Sequence, residues 1–312
     1  MQMLTRRRFL AISAVAAIGI PAAAAAQRVH HWRGVALGAD ASITLAHPDA
    51  PRLVELARRE VARLEDVFSL HQPGSALARL NGEGQLQAPA PELLECLSHC
   101  ARLHRATRGL FDPTIQPLWA LYARHFGGGR RVDVPDAAAR EGALASVGFD
   151  RLRLNPAEIR MDTGVALSLN GIAQGYIADK VAALLRAQGL RDVLVNTGEF
   201  KALGQAPDRQ PWQIGLRAGP DVLPRRAALQ DAALASSAAH GISFDEAGRV
   251  GHILNPKTGL PAPRYWKLVS ITAPQAWLAD GLSTAFCLMD RATIEKILPL
   301  FPDARIERLV PA

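Results

Sequence analysis

Strand-forming segments in the last third of the chain follow one another without helices between them, and this limits the folds open to the sequence. Short runs rich in β-branched residues and bounded by Gly, Pro or Asn predict strands at ASITLA, DVLVNT, WQIGLRA, VGHIL and KLVSITA. Consecutive strands without crossover helices pair antiparallel, whereas a doubly wound parallel sheet needs a helix between strands. The sequence therefore predicts an α+β fold rich in antiparallel sheet.

Helices are predicted where apolar residues recur every three or four positions. The predicted helices span residues 51–68, 91–108, 175–188 and about 274–289. Gly109 and Gly189 directly follow the second and third of these segments, and glycine commonly ends a helix. No long Ser, Gly or Pro linker divides the chain, so one domain is expected.

The N-terminal segment has the pattern of an export address. Three arginines at Arg6, Arg7 and Arg8 precede a short apolar stretch and an alanine-rich end, which predicts a twin-arginine signal peptide cleaved after Ala26. The mature domain would then span residues 27–312 and act in the periplasm. The apolar stretch is too short for a spanning helix. The alternative is an uncleaved N-terminal anchor.

Charge and aromatic content argue against a nucleic-acid partner. The formal net charge is +7, and removing the three signal arginines leaves +4. The basic residues are scattered and aromatic residues make up only 5% of the chain, so neither a basic stripe nor a stacking platform is present. Stable membrane insertion of the mature domain is not expected either.

Three cysteines cannot form a complete disulfide framework. Cys96, His99, Cys100 and His104 fall at helical spacing, which would also suit a metal cluster or a disulfide between Cys96 and Cys100. The two cysteines continue an apolar stripe, however, and a buried cysteine behaves as a small hydrophobe. Packing in the core is the favoured interpretation.

A small-residue turn opens into an amphipathic run at ALSLNGIAQGYIADKVAALLRAQG. Small residues at a helix entrance let a ligand approach the backbone closely. The segment matches neither GxGxxG nor GxxxxGK[ST], so it is not one of the common phosphate-binding loops. Its partner has to be inferred from the rest of the chain.

Polar residues elsewhere have both a structural and a chemical interpretation. Ser75 and Asn81 suit helix capping, and Asp112 before Pro113 suits an ordinary helix start, although a carboxylate beside Phe111 can also hold a ring. His252 lies in the predicted strand VGHIL, where it could move a proton or merely pack.

Asp280 and Thr284 are four residues apart on the last predicted helix, nearly opposite its apolar stripe. A solvated helix face would explain this placement. A carboxylate and a hydroxyl in a helix otherwise poor in charge would equally offer two hard oxygen ligands to Mg²⁺.

Six segments in order resemble the ApbE family of flavin transferases, which use FAD to attach FMN covalently to a protein hydroxyl. They are ALGADASITL, FSLHQPGSALARLN, GLFDPTIQPLW, LSLNGIAQGYIAD, HILNPKTG and ADGLSTAF, and the resemblance extends over nearly the whole mature chain. The resemblance implies a single α+β domain of antiparallel-rich sheets and packed helices. It also implies a pocket for FAD, the substrate, lined by Leu37, His71, Leu110, Phe111, Asp112, Ser168, Gln174 and Leu254.

The resemblance further implies a Mg²⁺ ion held by the Gly171 carbonyl, Asp280 and Thr284. A Thr or Ser hydroxyl of an exported or membrane flavoprotein would attack the FMN-side phosphorus and displace AMP, with His252 orienting or deprotonating that hydroxyl. A periplasmic FAD carrier, an FAD pyrophosphatase and an inactive structural partner remain alternatives.

The chain departs from the usual family pattern at several positions. Ser168, Asn170, Gln174 and Asn255 stand where Asp, Gly, Lys and Asp are common, and Glu199 occupies the second of two usual glycines. These departures resemble the accessory flavin transferases that accompany nitrous-oxide reductase.

Replacing Arg6 and Arg7 together by Lys should leave the full-length precursor in the cytoplasm, because the twin-arginine receptor reads the guanidinium pair. Immunoblotting of periplasmic and cytoplasmic fractions measures the outcome. Normal periplasmic levels of the double variant would contradict this export route.

Overall fold

The computed structural model describes residues 28–129 and 133–312 of the chain. The predicted signal peptide at residues 1–26 lies outside the described residues. The helices are α1 Ala50–Phe68, α2 Ala76–Glu83, α3 Pro91–Ala106, α4 Gln116–Gly127, α5 Ala137–Leu144, α6 Ala173–Ala187, α7 Ala276–Phe286 and α8 Arg291–Ile297. The strands are β1 Val29–Ala36, β2 Ala39–Ala46, β3 Gln85–Gln87, β4 Leu152–Leu154, β5 Glu158–Met161, β6 Val193–Thr197, β7 Phe200–Leu203, β8 Trp212–Ile214, β9 Arg217–Ala218, β10 Asp221–Val222, β11 Ala227–Leu229, β12 Ala233–Ser237, β13 Trp266–Ala273 and β14 Arg305–Pro311.

A seven-stranded sheet organises the domain, in the order β1-β2-β6-β7-β12-β13-β14. Neighbouring strands of this sheet pair antiparallel. The remaining described strands form two two-stranded antiparallel sheets, β8 with β11 and β9 with β10, and a three-stranded sheet in the order β3-β5-β4. The structure therefore confirms the predicted antiparallel-rich α+β architecture.

Both faces of the large sheet are covered, because successive side chains of a strand point to opposite faces. In β6, Val193 and Val195 pack in the main core with the helices, whereas Leu194 joins a second cluster with Trp212 and Ile214 of β8. Helices α6 and α7 lie against the strands on the main-core face, and α1 and α3 pack on those helices. The site described below lies between α6 and α7.

The predicted helices are present with small shifts at their ends. The α1 stripe of Leu53, Ala57, Val61 and Leu64 is buried, as its spacing indicates. Gly109 and Gly189 have positive φ angles of 80° and 89°, where glycine avoids the strain that a side chain would bring.

The three cysteines are free and buried. Cys96 and Cys100 lie in the main core beside Leu97 and Leu103. This confirms the core interpretation over the disulfide between Cys96 and Cys100. Burial raises the pKa of the Cys96 thiol, so this side chain stays protonated and apolar in character.

Two strand predictions need correction. The segment VGHIL is not a strand: its pairing is limited to the isolated bridges Ser243 with Gly251 and Leu254 with Pro261, besides a few loop hydrogen bonds such as that from the His252 N–H to the Ile242 carbonyl. A Cβ on Gly251 would lie 2.1 Å from the Ala239 carbonyl oxygen, so the backbone approaches residue 239 too closely for a side chain at position 251. The segment WQIGLRA is divided into β8 and β9 at residues 215–216.

None of the helices in residues 28–129 and 133–312 is long and apolar enough to cross a membrane.

Gly175→Ala should destabilise the domain by about 1–3 kcal/mol, the usual cost of forcing extra volume into a packed contact. A Cβ at Gly175 would lie 2.4 Å from the Ala276 carbonyl oxygen, so α6 and α7 would have to separate. Gly142→Ala is the matched control, because nothing lies within 4 Å of its added Cβ in helix α5. Urea denaturation measures both variants, and equal free energies of unfolding would contradict the close approach of α6 and α7.

Candidate functional site

The entrance of helix α6 meets the middle of helix α7 at a buried carboxylate. The Gly175 backbone N–H donates to Oδ2 of Asp280 over 3.1 Å, and Asp280 is only 3% exposed. Burial raises the pKa of this carboxyl to about 7, and the Gly175 hydrogen bond opposes the shift. The solvated-face interpretation of Asp280 is therefore wrong, because α7 is enclosed by α3, α6, β12 and β13.

Thr284, one turn further along α7, faces the small-residue turn that precedes α6. A Cβ built on Gly171 would lie 3.1 Å from the Thr284 hydroxyl oxygen, so the backbone of the turn lies close to Thr284 and a larger residue would crowd it. On the other side, the Ser237 hydroxyl lies 2.7 Å from the Ser283 hydroxyl and 3.4 Å from that of Thr284. The three residues predicted to hold a metal, Gly171, Asp280 and Thr284, thus gather where α6 and α7 meet.

Contacts distant in sequence fix the turn that carries Ser168 and Gly171. The Asn81 side chain clamps the backbone of Leu167, donating to its carbonyl over 2.8 Å and accepting from its N–H over 2.7 Å. The Ser168 N–H donates to the Pro113 carbonyl over 2.7 Å. Asn81 is therefore more than a capping residue. Ser75 is one, since its hydroxyl accepts from the Ala78 N–H at the start of α2.

His252 contacts the segment that follows the C-terminal end of β12, since its N–H donates to the Ile242 carbonyl over 3.1 Å. Its Nδ1 is 3.1 Å from the Ile242 carbonyl oxygen, a partner that can only accept, so the neutral ring carries its proton on Nδ1 and a lone pair on Nε2. Burial lowers the pKa of this imidazole and favours that neutral form. A nearby buried ring, His240, has no hydrogen-bond partner on either nitrogen within the described chain.

The segment containing Leu110, Phe111 and Asp112 is held in a turn before α4. Asp112 Oδ1 accepts hydrogen bonds from the N–H and the hydroxyl of Thr114 at 2.9 and 2.6 Å, so its helix-start role is present. Burial raises the pKa of Asp112. Phe111 packs in the main core, while Leu110 is half-buried against it.

The turn HILNPKTG lies beside this segment. A Cβ on Gly109 would be 3.6 Å from Cε of Lys257, so the two motifs that frame Leu110 and Leu254 are neighbours in the fold. Leu254 itself packs in a separate apolar cluster with Tyr122 and Phe244. The Leu254 side chain is therefore buried beneath the turn, and its contribution to a ligand pocket stays a prediction.

Two further predicted pocket residues lie near the C-terminal end of α1. Leu37 occupies the β1–β2 turn with a φ of 46°, and its N–H donates to Glu65 Oε1 over 2.6 Å. His71 is exposed in the connection between α1 and α2. Their contribution to a ligand pocket stays a prediction.

Gln174 connects the α6 entrance to the β6–β7 turn. Its carbonyl accepts from the Thr197 hydroxyl over 2.8 Å, and a Cβ on Gly198 would lie 2.6 Å from its side-chain amide carbon. Gly198 has a φ of 103°. The next residue, Glu199, is 8% exposed and accepts a hydrogen bond from the Ser236 N–H over 3.1 Å.

Glu199 was not among the predicted site residues. Its burial raises its pKa well above the usual range, and the charge of nearby Asp280 adds to this shift. Two indications were available: its place at the second of two usual family glycines, and a carboxylate in a turn next to a glycine, which is ordinary in exposed hairpins. Within the described part of the chain, no group of three or more His, Cys, Asp or Glu side chains is placed to hold a metal ion.

The fold and site together define an α+β protein with a buried cluster of carboxylate, hydroxyl and backbone groups between two helices. The ApbE family profile matches residues 37–304. The chain is 32% identical to the FAD:protein FMN transferase of Treponema pallidum, covering 76% of this chain and 71% of the relative. It is 29% identical to the enzyme of the same name from Haemophilus influenzae, covering 80% of this chain and 75% of the relative.

A solved structure supports the same assignment. The crystal structure of the ApbE protein from Thermotoga maritima superposes with a TM-score of 0.79 at 25% identity, covering 89% of this chain and 94% of that one. The chain belongs to the ApbE family.

Proposed function

We propose that this protein transfers FMN from FAD to a Thr or Ser hydroxyl of an exported or membrane flavoprotein, releases AMP, and depends on Mg²⁺. Relatives that carry the name FAD:protein FMN transferase support the reaction. The observation that carries the metal part of the proposal is the buried Asp280 carboxylate in the same cluster as Thr284 and Gly171.

The donor chemistry of this cluster fits Mg²⁺. A carboxylate, a hydroxyl and a backbone carbonyl are hard oxygen ligands, and Mg²⁺ is commonly bound through one or two carboxylates together with substrate phosphates. Asp280, Thr284 and the Gly171 carbonyl would hold the ion. When bound, Mg²⁺ would neutralise the negative charge that accumulates on the transferring phosphoryl oxygens.

His252 is the proposed base. The acceptor hydroxyl oxygen forms a bond to the FMN-side phosphorus of FAD, the bond from that phosphorus to the AMP oxygen breaks, and the hydroxyl proton passes to Nε2 of His252. The Nδ1 contact with the Ile242 carbonyl holds the ring in the tautomer that leaves Nε2 able to accept. Burial, which keeps the imidazole neutral, supports this role.

FAD would lie along the surface formed by the α6 entrance, the segment at Leu110 to Asp112 and the turn at residues 252–259. Ser168 and Gln174 belong to the first, and the other two are neighbours because the Lys257 side chain lies close to Gly109. Leu37 and His71 would extend the pocket from the end of α1.

Location and acceptor are the finer parts of the proposal. The arginine-rich N-terminus supports export of a domain spanning residues 27–312 to the periplasm. The departures at Ser168, Asn170, Gln174, Asn255 and Glu199 support membership of a branch similar to the transferases that accompany nitrous-oxide reductase.

Asp280→Asn and His252→Ala should separate the metal site from the base. Asp280→Asn keeps an acceptor for the Gly175 N–H but removes the charge, so both AMP release and protein flavinylation should fall to background. His252→Ala should retain FAD and Mg²⁺ binding while slowing transfer by roughly a hundredfold or more. Chromatographic AMP assays and in-gel flavin fluorescence with co-expressed exported flavin-binding domains measure these outcomes.

His47→Ala is the control for the histidine variant, because His47 follows β2 at the end of the sheet opposite the β6–β7 turn. If His252→Ala transfers FMN at the wild-type rate, His252 is not the base. If Asp280→Asn keeps full Mg²⁺-dependent activity, Asp280 does not hold the metal ion. Wild-type protein that releases AMP and free FMN without labelling any acceptor would be a pyrophosphatase. Binding of FAD without AMP release would indicate an FAD carrier. A wild-type protein that does not bind FAD would be an inactive structural partner.

A further inference from the structure

Two buried carboxylates, Glu199 in the β6–β7 turn and Asp280 on α7, interact electrostatically. Glu199 and Asp280 are 8% and 3% exposed, and the charge of Asp280 raises the pKa of Glu199. Each accepts one backbone hydrogen bond, from Ser236 and Gly175 respectively. The second oxygen of each carboxylate accepts no hydrogen bond from residues 28–129 or 133–312.

No cationic side chain of the described residues balances this pair. The ion pairs found in those residues include neither Glu199 nor Asp280. Burial and mutual repulsion both disfavour two ionised carboxylates at this place, so protonated forms are favoured while no cation is bound. A bound divalent cation would cancel the charge of both.

A chain of hydrogen bonds connects Glu199 to Thr284 through two neighbouring residues of β12. Glu199 is bonded to the backbone of Ser236, and the hydroxyl of the following residue, Ser237, contacts those of Ser283 and Thr284. Antiparallel pairing of β7 with β12 fixes this arrangement. Glu199 therefore adjoins the predicted ligands through the strand that carries Ser237.

We propose that Glu199 supplies a second carboxylate to the divalent cation at Asp280 and Thr284. This inference rests on the metal site of the proposed function and extends it. A cation held by both carboxylates would neutralise them and attract the pyrophosphate of FAD, so FAD should bind more tightly when the cation is present.

Glu199→Gln tests this, since the amide keeps an oxygen that can accept from the Ser236 N–H while removing the charge. We expect Mn²⁺, measured by electron paramagnetic resonance of the free ion, to bind about tenfold or more weakly to the variant. In EDTA, FAD should bind the variant within about twofold of its affinity for wild-type protein, measured by fluorescence titration, because burial already disfavours the charge of Glu199 when no cation is bound. A variant with a damaged fold would bind FAD more weakly in EDTA as well, so the two titrations separate a metal ligand from a residue with only a structural role.

Asp179→Asn is the matched control. It also removes one negative charge between α6 and α7, but Asp179 accepts from the Trp277 N–H and lies 4.0 Å from Lys201 Nζ. Its Mn²⁺ affinity should stay within about twofold of the wild-type value. Glu199→Gly serves as a second variant if circular dichroism shows that Glu199→Gln is unfolded, and it should lose Mn²⁺ affinity in the same way.

Wild-type Mn²⁺ affinity in a folded Glu199 variant would overturn the inference, as would a wild-type protein that binds no Mn²⁺ with or without FAD. AMP release from FAD and Mg²⁺, assayed in parallel on wild-type protein, separates this failure from failure of the proposed function. If wild-type protein releases AMP and Glu199→Gln binds Mn²⁺ as tightly as wild-type protein does, the proposed transferase activity stands and only the role of Glu199 is contradicted.

Discussion

The hydrogen bond from the Gly175 N–H to Asp280 joins the two helices on which the site depends. It forms because Gly175 has no side chain, so α6 can approach the backbone of Ala276 and Trp277. The same approach carries the preceding turn, with Gly171, up to Thr284. Packing between two helices thus sets the position of the backbone and side-chain oxygens together.

The packing of α6 against α7 buries the Asp280 carboxylate and so changes its ionisation. Burial raises the pKa of Asp280 to about 7, which means that the apolar surroundings oppose its ionised form. Burying Asp280 and Glu199 without a cationic partner among residues 28–129 and 133–312 lowers the stability of the domain. Such local costs commonly accompany function, because the same environment strengthens the attraction of a bound cation.

Much of the fold could be predicted from local sequence patterns. The α1 stripe and the glycines after α3 and α6 are short-range features, and the structure follows them closely. The segment around His252 could not be predicted in this way. Its β-branched character indicated a strand, whereas the structure has isolated bridges and a close tertiary approach of Gly251 to the Ala239 carbonyl, which no local pattern predicts.

Some residues of the candidate site could likewise be predicted from local patterns, whereas others could not. Asp280 and Thr284 could be singled out because a helix otherwise poor in charge carries a carboxylate and a hydroxyl one turn apart. The burial of Glu199 depends on pairing between β7 and β12, and the Asn81 clamp on Leu167 joins residues 86 positions apart. Contacts of this kind arise from tertiary structure, so no local pattern contains them.

The central claim is that the junction of α6 and α7 binds a divalent cation beside FAD. Anomalous diffraction from crystals grown with Mn²⁺ and FAD tests it most directly. We predict an anomalous peak bounded by the Asp280 and Thr284 side chains and the Gly171 backbone. Bound FAD with no peak at this junction, or with Mn²⁺ held by other residues, would contradict the account.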